Sequence, residues 1–404
     1  MPRRMLQGVF VLSVYACLIS LPASGWAAPA PKRFQLRVSL YPWIPNATSF
    51  FQWIETDFEA KHPDIDLVVR PLAKSFGLAD LAYEPDQTAA ALTDERNPDF
   101  QHLVELDTLI LGALAQRGAI APFAVQNARF LPAAAEAVTW NNQTVGVPHW
   151  TCGYFVISED PTIRTATNIF DLVSILSAQA TPRVDLAGDL ANPWDAITGY
   201  LDAFRDTYPR GDLQQAVTQP GMDPDVKDYL SMLQSACSKD GVSYCGADAV
   251  DLFATGNADA LIGYSERLNP ILAHAKKTVG TLHVASATLG DGDAPALFTD
   301  ALVLSPRCSS LQCQSAAQRF ATYYVSDAVF EVALMALDAG LGSVPRYLLP
   351  STTSAFEYGL VGTDRLYGQL KEEIKKGRPF PNNGVLEAQE SGILQQEMKE
   401  ALGL

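Results

Sequence analysis

Cys152 is the residue of this chain best placed to do chemistry. The stretch "WTCGYFVI", Trp150 to Ile157, sets it between an aromatic residue and an apolar run that reads as a strand. A thiol in that setting is either a small buried strand residue or a nucleophile. Counting cysteines helps to separate the two. Six occur, and setting aside Cys17 near the N-terminus leaves Cys152, Cys237, Cys245, Cys308 and Cys313. Cys237 and Cys245 bracket "SKDGVSY", and Cys308 and Cys313 bracket "SSLQ". Two short local disulfides are the simplest assignment, with connectivity left open by spacing alone. Zinc is the competitor, but no histidine lies near either pair. Cys152 is then the odd cysteine. His149 stands three residues away, and odd separations in a strand point to opposite faces, which disfavours a Cys–His pair unless a bulge intervenes.

Other chemistries lack their signatures. The five histidines show no metal-ligand spacing and no HExxH. No Gly-x-x-x-x-Gly-Lys phosphate loop occurs, and "GDGD" lacks the length and closing glutamate of a calcium loop. Neither a metal nor a cofactor is expected. The formal charge of −16 argues against nucleic acid, whose phosphates an acidic surface repels. The same charge mildly favours a cationic ligand, although solubility alone is the commoner reason for it.

The first residues read as an export signal. "MPRRM" carries two arginines, "VFVLSVYACLISL" is apolar, and small residues follow in "PASGWAA", with cleavage expected near Ala27. No later stretch approaches about 18 uninterrupted apolar residues, so no membrane span is expected. The expected location is the periplasm or the medium, an oxidising compartment where the paired cysteines fit.

Strands and helices then alternate. "FQLRVSLYPWI" reads as a strand, and "ATSFFQWIETDFEAKHP" sets Phe50, Trp53, Ile54 and Phe58 at helical spacing. "DIDLVVRPL" and "HLVELD" are further strands, and "DTLILGALAQRGAIAPF" continues as a helix ended by Gly118. "CGYFVIS" and "ADALIGYS" are apolar strands; "TLHVASATL" and "FTDALVLS" form another pair around "GDGDAP". From Ser315 onward the pattern is mostly helical. Such alternation implies an α/β architecture with a largely parallel sheet, and 404 residues suggest two lobes.

The opening strand, "WNNQTVGVP" before a strand near one-third of the length, and "ALIGYS" after a Gly/Asn turn resemble extracellular solute-binding proteins. That resemblance implies a two-lobed, periplasmic-binding-protein-like (type II) α/β fold with a ligand cleft between lobes. It divides the chain into a signal peptide at 1–27, the first part of lobe one at 32–153 and the main part of lobe two at 154–297. Residues 298–404 form the return crossing and a mainly helical remainder shared between the lobes. "CGYFVIS" and "FTDALVLS" would be the two crossings, bringing Cys152 close to Asp300.

Within that group, "LYPWIP", "VPHWTC", "GYSE" and "FTD", in this order, resemble thiaminase I. The resemblance implies that Cys152 is the nucleophile and Glu266 the general base that takes its proton. It implies that Asp300 and Asp107 accept from the substrate's amino group, and that Tyr41, Trp43, Tyr83, Tyr264 and Phe298 line the ring site; Trp150 either walls the cleft or packs in the core. Family members usually carry tyrosine where Trp43 and Phe298 stand, so stacking survives while a phenolic hydroxyl is lost. The implied substrates are thiamin and a small amine or thiol, on a monomeric chain. A thiol with a pKa of about 8.5 is mostly protonated at neutral pH, so an adjacent base makes chemical sense. Flat aromatic walls and cation–π attraction suit a thiazolium. The alternative is a non-catalytic binding protein for thiamin or a related cation, which predicts the same fold and an equally acidic, aromatic cleft.

Overall fold

The computed structural model describes residues 33–71, 85–383 and 393–404, apart from 180, 189, 191, 192, 247 and 275. The expected signal segment and Tyr83 lie outside the described residues. Chain order gives strands β1 (Phe34–Leu40), β2 (Ile65–Pro71), β3 (Leu103–Asp107), β4 (Val147–Cys152), β5 (Tyr154–Ser158) and β6 (Val184–Gly188). They are followed by β7 (Ala258–Tyr264), β8 (His283–Ser286), β9 (Ala296–Leu304), β10 (Leu349–Pro350) and β11 (Arg378–Pro379).

Two principal sheets result. The first has the order β10-β4-β9-β3-β1-β2, with β11 also paired to β9. The second has the order β8-β5-β7-β6. The fold is α/β and two-lobed. β1 pairs in parallel with both β2 and β3, whereas β9 runs antiparallel between β3 and β4. β1, β3 and β4 therefore end at one edge of the first sheet, the edge where open α/β sheets place their ligands.

The chain leaves the first sheet at Cys152 and enters the second at Tyr154, with only Gly153 between. A Cβ at Gly153 would lie 2.8 Å from Leu297 Cδ2 and 3.2 Å from the Ala296 carbonyl oxygen. Glycine is what lets the two crossings approach so closely. The return runs from β8 to β9, so "TLHVASATL" and "FTDALVLS" do not pair with each other. β8 lies against β5 in the second sheet, and all of β9 lies in the first. The intervening loop carries the chain between sheets, which separates two strands that are close in sequence.

Sequence pattern accounts for the helices that matter here. α1 (Ala47–Lys61) buries Phe50, Phe51, Ile54 and Phe58 along one stripe, with Trp53 half-buried and stacked on Phe50. α2 (Pro193–Thr207) carries Asp195 in its first turn, where an acid suits the helix dipole. The expected helix after β3 begins as a tight 3₁₀ turn, Thr108–Ile110, continues as Leu111–Gln116, and is followed by Gly118 at φ 64°. That positive φ explains the stop. Cys237 pairs with Cys245 and Cys308 with Cys313, leaving Cys152 as the free cysteine among the described residues.

Candidate active site

Sheet register assembles the site. Cys152, the last residue of β4, lies opposite Phe298 of β9. Two residues along β9, Asp300 faces Trp150 on one side and Asp107, the last residue of β3, on the other. The register slips between Asp300 and Ala301. Across the crossing, Tyr154 opens β5 and faces Tyr264, which closes β7. Glu266 sits in the 3₁₀ turn Ser265–Arg267 that follows directly. The sequence path Cys152–Gly153–Tyr154 and the pairing Tyr154–Tyr264 thus carry Glu266 toward the thiol.

Acids dominate the electrostatics. Cys152 is half-buried, and burial pushes its thiol well above the ordinary value; the charges of Asp300, Glu266 and Asp107 push it further. Asp107 is buried, and burial raises its carboxyl to about 7 against one opposing hydrogen bond, from the Leu109 N–H to Oδ1 at 2.9 Å. That bond makes Asp107 the cap of its turn, a role compatible with ligand contact. Asp300 is likewise buried and is held well above the carboxylate range, first by burial and then by Asp107, Glu105 and Glu266. Its Oδ1 is buried and meets no donor in the protein. A buried oxygen without a partner costs about 1–3 kcal/mol, which a ligand donor or the acid's own proton can offset.

The aromatic residues divide. Tyr264 is half-buried, stacked on Tyr154 with ring centroids 4.8 Å apart and planes at 20°. Phe298 stacks on Phe380 at 4.2 Å, so a phenyl pair stands where the resemblance implies a phenolic hydroxyl. Tyr41 is half-buried just past the end of β1, its N–H donating to Glu105 Oε2 at 3.0 Å. Trp43, two residues on, is 49% exposed. The segment after it is anchored by the buried Arg346 guanidinium, which donates to the Pro45 carbonyl and pairs with Asp338. Trp150, which reads from sequence as either a cleft wall or a core aromatic, is fully buried, 4.0 Å from His149 and edge-on to Phe330 at 5.5 Å. Its indole N–H is buried and meets no acceptor in the protein.

Glu105, Tyr154 and Asp195 escape sequence reasoning. Glu105, two residues before Asp107, accepts from Tyr41 N–H and Tyr324 hydroxyl, each at 3.0 Å, and lies 2.6 Å from His149 Nδ1. His149 is thereby turned toward Glu105, and burial lowers its pKa. Tyr154 and Asp195 form a second buried set around Tyr264. The lone acid inside the apolar "LVELD" is the one available signal; Asp195 carries none. No cluster of potential metal ligands occurs among the described residues.

The profile of the bacterial extracellular solute-binding protein family matches residues 56–347, most of the chain. The chain belongs to that family. This solute-binding-family chain is 23% identical to thiaminase-1 of Paenibacillus thiaminolyticus over 401 residues, covering 93% of this chain and 90% of the relative. Its fold matches that of Clostridium botulinum thiaminase I in complex with thiamin, with a TM-score of 0.72 at 19% identity, covering 91% and 100% of the two chains. It also matches the GacH receptor of Streptomyces glaucescens, with a TM-score of 0.67 at 16% identity, covering 92% and 94%.

Proposed function

We propose that this chain is an exported thiamin-degrading transferase that works through covalent catalysis by Cys152. The observation that carries the reading is the convergence of Glu266, Asp300 and Asp107 on one free thiol at the ligand edge of the first sheet. Thiamin joins an aminopyrimidine to a cationic thiazolium through one methylene. Glu266 takes the thiol proton, and the thiolate adds to the electron-poor pyrimidine. The electron pair displaced onto the ring then expels the thiazole from the methylene as a neutral leaving group. An amine or thiol adds to that methylene and gives up its proton. The ring electrons return, the C–S bond breaks, and Cys152 leaves as thiolate to recover a proton from Glu266.

The acids give this sequence a second logic. Asp300, held protonated by burial and by Asp107, donates to a ring nitrogen and stabilises charge arriving there during addition. Asp107 accepts from the substrate's amino group. An acidic cleft keeps the resting thiol neutral, and a bound thiazolium cation offsets that repulsion. Ionisation of Cys152 is thereby tied to occupancy by a cation. Tyr264, Tyr41 and Trp43 supply ring contacts.

The test is incubation with thiamin and aniline, followed by chromatography for free thiazole and the pyrimidine–aniline adduct. Wild type should form both, and Cys152→Ser should lower turnover by at least about 10³-fold while remaining folded. Family membership favours one other outcome: tight thiamin binding by both proteins with no thiazole formed, which would make the chain a binding protein.

A further inference from the structure

Tyr264 is held by a device that the proposed chemistry does not use. Its hydroxyl donates to Asp195 Oδ1 at 2.8 Å. Tyr154, stacked beneath it, donates to the same oxygen at 3.1 Å and lies 3.0 Å from the Asp195 carbonyl oxygen. The Tyr154 hydroxyl is also 2.9 Å from Thr198 Oγ1, one turn along α2. Asp195, Tyr154 and Thr198 are all fully buried, whereas Tyr264 is only half-buried. One face of Tyr264 is covered by Tyr154, and its polar tip is fixed by a carboxylate. What remains accessible belongs to a residue two positions from Glu266 and directly across the pairing from Tyr154, itself two positions from Cys152.

The platform is tied to the crossing as well. Further along α2, Asp202 Oδ1 accepts from the Ala296 N–H at 2.6 Å. Asp206 accepts from the N–H groups of Leu289 and Ala294, at 2.9 and 3.3 Å. One helix therefore fixes the return crossing with two acids and the tip of Tyr264 with a third. A tyrosine ring has two side-chain torsions to lose on binding, and a ring already ordered in the empty protein loses less.

We infer that Asp195 is a positioning residue that locks Tyr264 as a preformed stacking wall for the heteroaromatic ring of a cationic ligand. The inference rests on the reading of the cleft as a thiamin site, but not on turnover. Its signature is a change in ligand affinity without a matching change in the chemical step. Asp195→Asn keeps the shape and weakens the charge-assisted acceptor. It should raise KM for thiamin about fivefold to tenfold, the scale of one hydrogen bond, with kcat changed by less than about threefold.

The decisive measurement is a double-mutant cycle read by calorimetric thiamin binding in the Cys152→Ser background. Tyr264→Phe keeps the ring and removes the tethered hydroxyl, so it should weaken thiamin about as much as Asp195→Asn. The double variant should be no worse than either single one. Multiplicative losses, or an unchanged Kd in both singles, would overturn the tether. A lower kcat at constant KM in Asp195→Asn would overturn it too. If Asp195→Asn does not fold, Tyr264→Phe decides alone, because Asp195 keeps its bonds to Tyr154 there; an unchanged Kd then rejects the inference. Failure of the catalytic reading looks different: wild type would bind thiamin and release no thiazole, with the cycle still measurable. If the parent protein shows no thiamin binding at all, both proposals fall.

Discussion

Glu105 and Asp300 are buried acids on adjacent strands of one sheet, yet the protein treats them oppositely. Both oxygens of Glu105 are engaged, by the Tyr41 N–H, the Tyr324 hydroxyl and the His149 ring. Asp300 keeps a buried Oδ1 that no donor meets. Both lie where burying a charge is costly, so the difference lies in who supplies the partner. Glu105 is supplied by the fold and ties β3 to the segment after β1 and to the C-terminal helical region. The fold supplies no such donor to Asp300 Oδ1. The contrast separates an acid that holds the structure from one that, in the proposed reading, meets the substrate, although the two are nearly neighbours.

The largest effect should come from breaking the satisfied acid. Glu105→Ala strands the His149 Nδ1, the Tyr324 hydroxyl and the Tyr41 N–H, and should cost about 3–5 kcal/mol of stability in urea unfolding. A loss below about 1 kcal/mol would erase the distinction between the two acids. Asp300→Asn should behave in the opposite way. Thiazole release should fall by at least about 10²-fold, with the melting temperature unchanged or raised, because an unpartnered buried acid is removed. Normal turnover in that variant would return Asp300 to a purely structural role.

The smallest effect is a slope with pH. Asp107 and Asp206 are each raised to about 7, in both cases chiefly by burial. Carboxyls with raised native values stabilise the fold fully below their unfolded values near 4. They lose that contribution as pH rises through 7. Between about pH 4 and 7 each should lower stability by up to about 1.4 kcal/mol per unit. Urea unfolding across that range should show a flatter slope for Asp206→Asn than for wild type, with turnover at pH 7 kept. Asp107→Asn should flatten the slope and also reduce turnover. Parallel slopes in wild type and both variants would show that neither acid carries a native-state proton.

Much of this site is legible before any coordinates. The free thiol follows from pairing cysteines that lie five and eight residues apart, because such short loops close locally. The strands that carry Cys152, Tyr264 and Asp300 are readable as apolar runs between turn signals. What escaped is which strands pair. "TLHVASATL" and "FTDALVLS" look like neighbours, but the loop between them changes sheets. Trp150 reads from sequence as a cleft or a core aromatic alike, and only its neighbours His149 and Phe330 show how it is packed. Glu105 and Asp195 have partners far away in sequence, and a single acid says nothing about a distant donor.

The sequence by itself determined the residue types, the odd cysteine and the local elements, since these depend on composition, short spacing and backbone periodicity. Tertiary structure decided everything that depends on register. The antiparallel placement of β9 between β3 and β4 sets Asp300 opposite Asp107 and Phe298 opposite Cys152. The single glycine between sheets sets Tyr154 beside Tyr264 and leads Glu266 toward the thiol. Register is a long-range choice, made by strands that bury their faces together, and it gathers scattered acids and one unpaired cysteine into the candidate site.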